Sequence, residues 1–437
     1  MLGTARRIGA VARHTIQAAT RSRLVAVLAA LLAAAAIGLP LLVEGDGTPD
    51  GDLRVAVRYA LGAAVGILSL ATLWVSCAAV SLDAASKRLA LTSVKPVRPA
   101  ELWLGKWLGI LLLDAILLAG AGVATRAALA VRSLRHPGSG VRLVTRVHHP
   151  PVMPTVREEA EMLLRNYPPP PDVDPKAALR EFIEKVPERY RAISAGETVS
   201  WDFPLERPLP PDATLWLRME FATDTLSRQE VTADCRLAGD NGGAVIVHVD
   251  DFTSNVFTIP VDATELAGAS SVRLDFHYAP ESPEAGSLLV QPRRGLALLE
   301  PVGGFGANMA RALLVELTIL AALAALGVTF GMLFTFPVAA FCATGLLLSV
   351  FASAYAMEEA IEPDETPDGW RARIAQRTAI IVSGAAKPML DPHPLEYLAD
   401  SERVPASEIL PSIGWNLALT PLLLALIGSL AFARKEQ

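Results

Sequence analysis

The chain has 437 residues, of which 52% are hydrophobic and 19% charged, with a formal net charge of −6 and three cysteines. Its apolar residues are gathered into long runs, which excludes a purely soluble globular protein. Cys77 and Cys342 lie in apolar runs and Cys235 stands alone in the polar part, which excludes a disulfide-stapled scaffold.

Met1 to Arg23 carries Arg6, Arg7, Arg13, Arg21 and Arg23 and no acid, the pattern of a cytoplasmic segment. Leu24 to Val43 is long enough to cross a bilayer, which takes about 20 apolar residues. No small-residue cleavage site follows it, so it reads as a retained first helix. The acidic, turn-rich Glu44 to Asp52 then forms an external connection, and Val57 to Val80 returns.

The next stretch, Lys87 to Gly109, holds five basic residues against Glu101. Each charge at mid-bilayer costs several kcal/mol, so this stretch is a cytoplasmic turn before a third crossing over Trp107 to Ala127. Arg126, Arg132 and Arg135 then fall outside, against the charge rule, yet the opposite orientation would export the five N-terminal arginines together with the basic turn. Met309 to Met357 is long enough for two crossings, with a turn expected near Gly327 to Pro337. Glu358 to Pro411 is acidic and external, and Trp415 to Ala433 crosses back. The expected membrane part is an all-α six-helix bundle with both termini cytoplasmic.

Between the membrane halves lies a polar, Pro-rich insertion, Arg135 to Glu300. Val156, Ala160, Leu163, Leu164 and Tyr167, then Leu179, Phe182, Ile183, Val186 and Tyr190, follow helical spacing, with a PPPPD run from Pro168 between them as a stiff spacer. From Thr198 the period becomes two. Leu215, Leu217, Met219 and Phe221 alternate with polar or outward residues, and Val272, Leu274, Phe276 and Tyr278 repeat the pattern. Shorter candidate strands are Val231 to Leu237, Val245 to Val249, Val256 to Pro260 and Leu288 to Gln291. Six to eight short strands imply an antiparallel, jelly-roll-like β-sandwich, giving an α+β insertion. The domains expected are therefore 1–134, with a coupling segment 81–106; a helical linker 135–196; the sandwich 197–300; and 301–437, with the external loop 358–411.

The basic turn resembles the permease subunits of ABC-type exporters of the six-helix type-2 family, in which a phrase of the form "lllskPvsRweivlGKwlG" leads into helix three. Leu91, Ser93, Lys95, Pro96, Val97, Arg98, Glu101, Leu104, Gly105, Lys106, Trp107, Leu108 and Gly109 fall on it. The hairpin TFGMLFTFPVAAF from Thr329, the segment LDPHPLEYLADSERVPASEIL and the FARKEQ ending are also similar to that family's patterns; the insertion is not part of them. The resemblance implies a separate cytoplasmic ABC ATPase coupled through Asp83, Lys87, Arg88, Lys95, Pro96, Arg98 and Lys106, with Lys87, Arg88, Lys95 and Arg98 helping it dock, a second permease copy or paralogue, and a bacterial inner membrane with the insertion periplasmic. A Walker A motif, G-x-x-x-x-G-K-[ST], is missing from the sequence, consistent with ATP hydrolysis elsewhere. In that reading the basic residues also touch anionic lipid heads; read on charge alone, they are only a positive-inside loop.

Asp114 and Glu316 are acids inside membrane runs. Each is a candidate for the translocation path, weighed against a buried hydrogen bond to a neighbouring helix, and helix ends counted from Trp107 and Met309 separate their depths by about 10 Å. His148, His149, His248 and His277 lack metal-ligand spacing, and neither G-x-S-x-G nor HExxH occurs, so no metal, cofactor, catalytic group or nucleic-acid partner is expected. Trp201 and Trp216 are candidates for a sugar-stacking platform. The contrasting function is a non-transporting membrane anchor displaying a carbohydrate- or protein-binding sandwich.

Overall fold

A computed structural model describes residues 2–21, 23–43, 49–85, 98–135, 144–169, 175–186, 190–212, 214–223, 229–253, 256–280, 286–292, 295–359 and 393–435. The chain divides into two compact units, one of residues 1–143 with 304–437 and one of residues 144–303. The first is helical and the second β-rich.

In the helical unit, α1 (Leu2–Thr20) opens the chain. Ile8, Val11, Ala12, Thr15 and Ile16 recur at the spacing that places them on one face, which is covered, while Arg6, Arg13, His14 and Gln17 stay exposed. Then come α2 (Arg23–Ala33), a π-helical turn over Ala34–Gly38 and α3 (Leu39–Leu42). Pro40 cannot donate to the preceding turn, and the ladder loosens to π register just before it. The same happens near the end of the chain, where the π turn Ile413–Leu419 precedes Pro421.

The long helices are α4 (Pro49–Ala85), α5 (Pro99–Arg135) and, after the β-rich unit, α8 (Phe305–Leu333) and α9 (Phe336–Glu359). The short helices α10 (Pro394–Ala399) and α11 (Ala406–Ser412) lead through the π turn to α12 (Thr420–Lys435). Among the described residues five helical spans are long and apolar enough to cross a membrane: Val25–Leu42, Leu53–Asp83, Pro99–Val131, Phe305–Leu333 and Ala406–Ala431. In α9 the corresponding apolar stretch is the shorter Phe336–Val350.

The turn expected near Gly327 to Pro337 falls within that stretch, at Phe334 and Thr335. The helix runs through Gly327 to Leu333 and the next begins at Phe336. Gly327 serves a helix crossing instead: a Cβ there would lie 1.8 Å from Ser76 Oγ, and one at Gly331 2.6 Å from the Cys77 carbonyl. This Gly-x-x-x-Gly face lets α4 and α8 approach closely. At the other end of α8, Asn308 holds the α10–α11 segment by its backbone.

Among the described residues the β-rich unit holds α6 (Val156–Asn166) and α7 (Pro175–Lys185) beside ten strands. A capping box starts α6: Thr155 Oγ1 accepts the Glu158 N–H, and the Glu158 carboxylate accepts the Thr155 N–H, which holds that carboxyl below its usual range. The strands are β1 (Val144–His149), β2 (Arg191–Ile193), β3 (Thr198–Pro204), β4 (Thr214–Thr223), β5 (Glu230–Gly239), β6 (Ala244–Phe252), β7 (Val256–Asp262), β8 (Ser271–Tyr278), β9 (Leu288–Val290) and β10 (Leu296–Gly304). One sheet runs β1-β10-β4-β9-β2, with β7 also on β4; the other runs β3-β8-β5-β6.

Alternation decides which side chains go inward. Leu215, Leu217, Met219 and Phe221 of β4 share one core with Val272, Leu274, Phe276 and Tyr278 of β8. Phe221 and Phe276 pack at 5.0 Å between centroids, joining the two sheets as a sandwich. At the β5–β6 turn Gly242 has φ +86°, a left-handed backbone that glycine adopts without strain.

Candidate functional site

Of the residues expected to meet an ATPase, Lys87, Arg88, Lys95 and Pro96 lie outside the described residues. The flanks of that stretch are described. Pro99 opens α5 at its first turn, and the Glu101 carboxylate folds back, Oε2 accepting the Arg98 N–H at 3.1 Å. The other oxygen of Glu101 accepts Arg7 Nη2 of α1 at 2.9 Å. One turn on, Lys106 Nζ donates to Asp83 Oδ2 at 2.5 Å, joining the last turns of α4 to the start of α5. The Lys106 side chain is only 6% exposed and its ammonium is paired with Asp83. Arg98 contributes its backbone to the cap.

The glycines of the same phrase have a packing role. A Cβ at Gly105 would lie 2.5 Å from Val11 Cβ, and one at Gly109 2.8 Å from the Ala12 carbonyl, so α1 rests directly on the α5 backbone. On the opposite face Trp103 and Trp107 stack at 5.9 Å. Their indole N–H groups donate to Thr329 Oγ1 at 3.0 Å and to the Ala321 carbonyl at 2.8 Å, fastening α5 to α8. The signals for this arrangement were present as Gly-x-x-x-Gly spacing at 105 and 109 and again at 327 and 331, together with a helical stripe in residues 8–16.

Asp114 is 3% exposed; its Oδ1 accepts Thr72 Oγ1 at 2.9 Å, while Oδ2 has no hydrogen bond among the described residues. Glu316 is likewise buried. Both acids fall in the stretch of α5 and α8 bracketed by the Trp107–Ala321 hydrogen bond and the close approach of Gly122 to Leu313. The depth expected for Asp114 rested on a helix start at Trp107; the helix starts two turns earlier, at Pro99.

Neither tryptophan of the β-rich unit offers a flat face to solvent. Trp201 is 5% exposed, in the core against Phe276. Trp216 is 8% exposed, packed with Ala297 and Leu299 and covered by the Arg146 guanidinium 4.9 Å from its ring centroid. The stacking platform is corrected accordingly: β1 and β10, strands that the alternation did not reveal, supply the groups packed against Trp216.

The structure shows a cleft instead. It has a volume of about 630 Å³ and lies between α6, the segment before it and strands β2 and β3. Elsewhere in this unit Glu300 is buried between Arg207 Nη2 at 2.8 Å and His149 Nε2 at 3.4 Å. No cluster of metal-ligating residues occurs among the described residues. No family model, curated protein or solved structure matches the chain.

Proposed function

We propose that the chain is the membrane subunit of an ATP-driven exporter of the ABC type-2 kind, working as a dimer or with a paralogue and driven by a separate cytoplasmic ATPase. In this reading α9 completes six crossings, both termini are cytoplasmic, and the β-rich unit is a periplasmic jelly-roll-like sandwich on a bacterial inner membrane. The observation that carries it is the Asp83–Lys106 ion pair. It closes the base of residues 86–97, so a push on that basic stretch reaches α4 and α5 together. The Glu101 carboxylate passes the same load to α1 through Arg7. A chain that only anchored an outer domain would need neither link.

Purification of the intact protein from its native membrane tests this. A nucleotide-binding subunit should accompany it, and Lys95→Glu with Arg98→Glu should release that subunit while the permease still inserts. If no ATPase accompanies the wild type, the exporter reading fails.

A second reading, a membrane anchor displaying a binding sandwich, draws its support from the 630 Å³ cleft. It predicts a folded, inserted protein without an ATPase partner.

A further inference from the structure

The sheets of the β-rich unit differ in how their edges are guarded. β3, at one end of its sheet, is met by the chain before α6: the Val152 N–H donates to the Asp202 carbonyl at 2.7 Å. β7 pairs with β4 and carries Pro260, which has no N–H to offer a further strand. β6, the other end of the β3-β8-β5-β6 sheet, has neither protection. Its nine residues include no Lys and no Pro, and its register on β5 runs unbroken from Glu230 opposite Phe252 to Ala238 opposite Ala244, without a bulge to turn the edge away.

Hydrogen bonds alternate along an antiparallel pair. The Gly239 N–H donates to the Gly243 carbonyl at 2.9 Å and the Thr253 N–H to the Gln229 carbonyl at 2.8 Å, so between them the odd-numbered residues of β6 bond to β5. The backbone groups of Ile246, His248 and Asp250 therefore point to the open edge. On the outer face Ile246 is 72% exposed and Phe252 46%; on the inner side Val245 and Val247 are only partly buried against the core. Apolar surface thus reaches solvent along this edge.

The edge is self-complementary. Two copies of β6 pair antiparallel only with outward-pointing residues opposite one another, that is, even numbers opposite even numbers. Centred on Val249, Ile246 of each copy meets Phe252 of the other and His248 meets Asp250, each contact made twice, and no acid lies opposite an acid. Centred on Val247, Phe252 passes beyond the end of the facing strand; centred on His248, the imidazoles oppose and Ile246 meets Asp250; centred on Asp250, the carboxylates oppose. One register alone joins apolar to apolar and imidazole to carboxylate.

We infer that β6 is a docking edge for a second copy of this chain, the two strands pairing antiparallel about Val249 to merge two four-stranded sheets across a twofold axis. The inference stands whether the chain is an exporter or an anchor, because it concerns β6 alone.

Disulfide trapping of the full chain in native membranes tests it, in a Cys77→Ser, Cys342→Ser background with Cys235 left buried in the core. Copies carrying His248→Cys and copies carrying Asp250→Cys, each with its own tag, are co-expressed and oxidised. Hydrogen-bonded antiparallel partners lie about 5.5 Å apart between Cα atoms, within the span of a disulfide. The cross-tag product should exceed either same-tag product at least fivefold. Ile246→Asp in both copies should lower it at least fivefold while Ile246→Val retains it; position 246 is exposed, so neither change threatens the fold. Absence of the cross-tag product, same-tag His248→Cys dimers as the main product, adducts to a different protein in place of a second copy, or a yield unchanged by Ile246→Asp would each overturn the proposal. Co-purification of an ATPase is a separate readout and bears on the exporter proposal alone.

Discussion

Asn308 holds Val404 by the backbone: its Oδ1 accepts the Val404 N–H at 2.9 Å, while its Nδ2 donates to the Glu402 carbonyl at 2.6 Å. One buried amide thus satisfies both a donor and an acceptor in the turn between α10 and α11. Asn308→Ala leaves those backbone groups buried without partners, at a cost of about 1–3 kcal/mol each. Faster hydrogen exchange over residues 394–412, with α4 unaffected, is the expected outcome.

The Asp83–Lys106 pair gives an asymmetric prediction. Asp83→Ala strands a buried ammonium and should cost about 3–5 kcal/mol, whereas Asp83→Ala combined with Lys106→Met removes both charges and should recover most of the loss. Thermal unfolding of the purified protein separates the two. Equal melting temperatures for the single and double variants would mean that the stranded ammonium is not the source of the loss.

Gly109→Val places side-chain atoms where the Ala12 carbonyl and Thr15 lie, so α1 must lift from α5. Overpacking of this kind costs about 1–3 kcal/mol. Faster hydrogen exchange over residues 8–16 is the expected outcome. Gly120, with open space around it, should accept alanine without effect on that exchange.

Cys235 sits in the sandwich core, where burial and then the Asp234 carboxylate push its thiol up to about 12. Almost no thiolate exists at pH 8, and the thiolate is the reactive form. In a Cys77→Ser, Cys342→Ser background, maleimide should label Cys235 only after denaturant is added. Labelling of the native protein within minutes would contradict the packing of β5.

Acid should loosen the sandwich. The Arg273 guanidinium hydrogen-bonds Asp202 across β3 and β8 and holds its carboxyl below the usual range. A depressed carboxyl stabilises fully above its unfolded value, about 3.9, and that contribution is lost as pH falls through the folded value. The pair is more than half exposed, so solvent screens it and its contribution is small. Asp202→Asn should therefore flatten the acid limb of the stability curve only slightly, measured by exchange of the β3 and β8 amides between pH 5 and pH 3.

Long apolar runs made the membrane helices legible, and period-two alternation did the same for β4 and β8. Helix ends were less legible. Hydropathy marks the part of a helix suited to hydrocarbon, whereas α4 and α5 carry their backbone ladders well past it, to Pro49 and Pro99. At 1.5 Å per residue their 37 residues reach about 55 Å, against a core of about 30 Å. Arg126, Arg132 and Arg135, expected beyond the third crossing, all lie within α5. Gly327, at one end of the stretch that holds the turn, serves a crossing instead: glycine signals both turns and close crossings, and only the facing Ser76 tells which. At Trp216, strand alternation correctly sets the side chain away from the core, but it carries no information about Arg146 lying over it.

The first and last strands of the β-rich unit, β1 and β10, are hydrogen-bonded neighbours in one sheet. The chain therefore arrives at the unit and departs from it through neighbouring strands of one sheet. Such a domain is a cassette: it can be gained, lost or exchanged as a block through a single opening in the polypeptide, with the threading of every membrane helix left as it was.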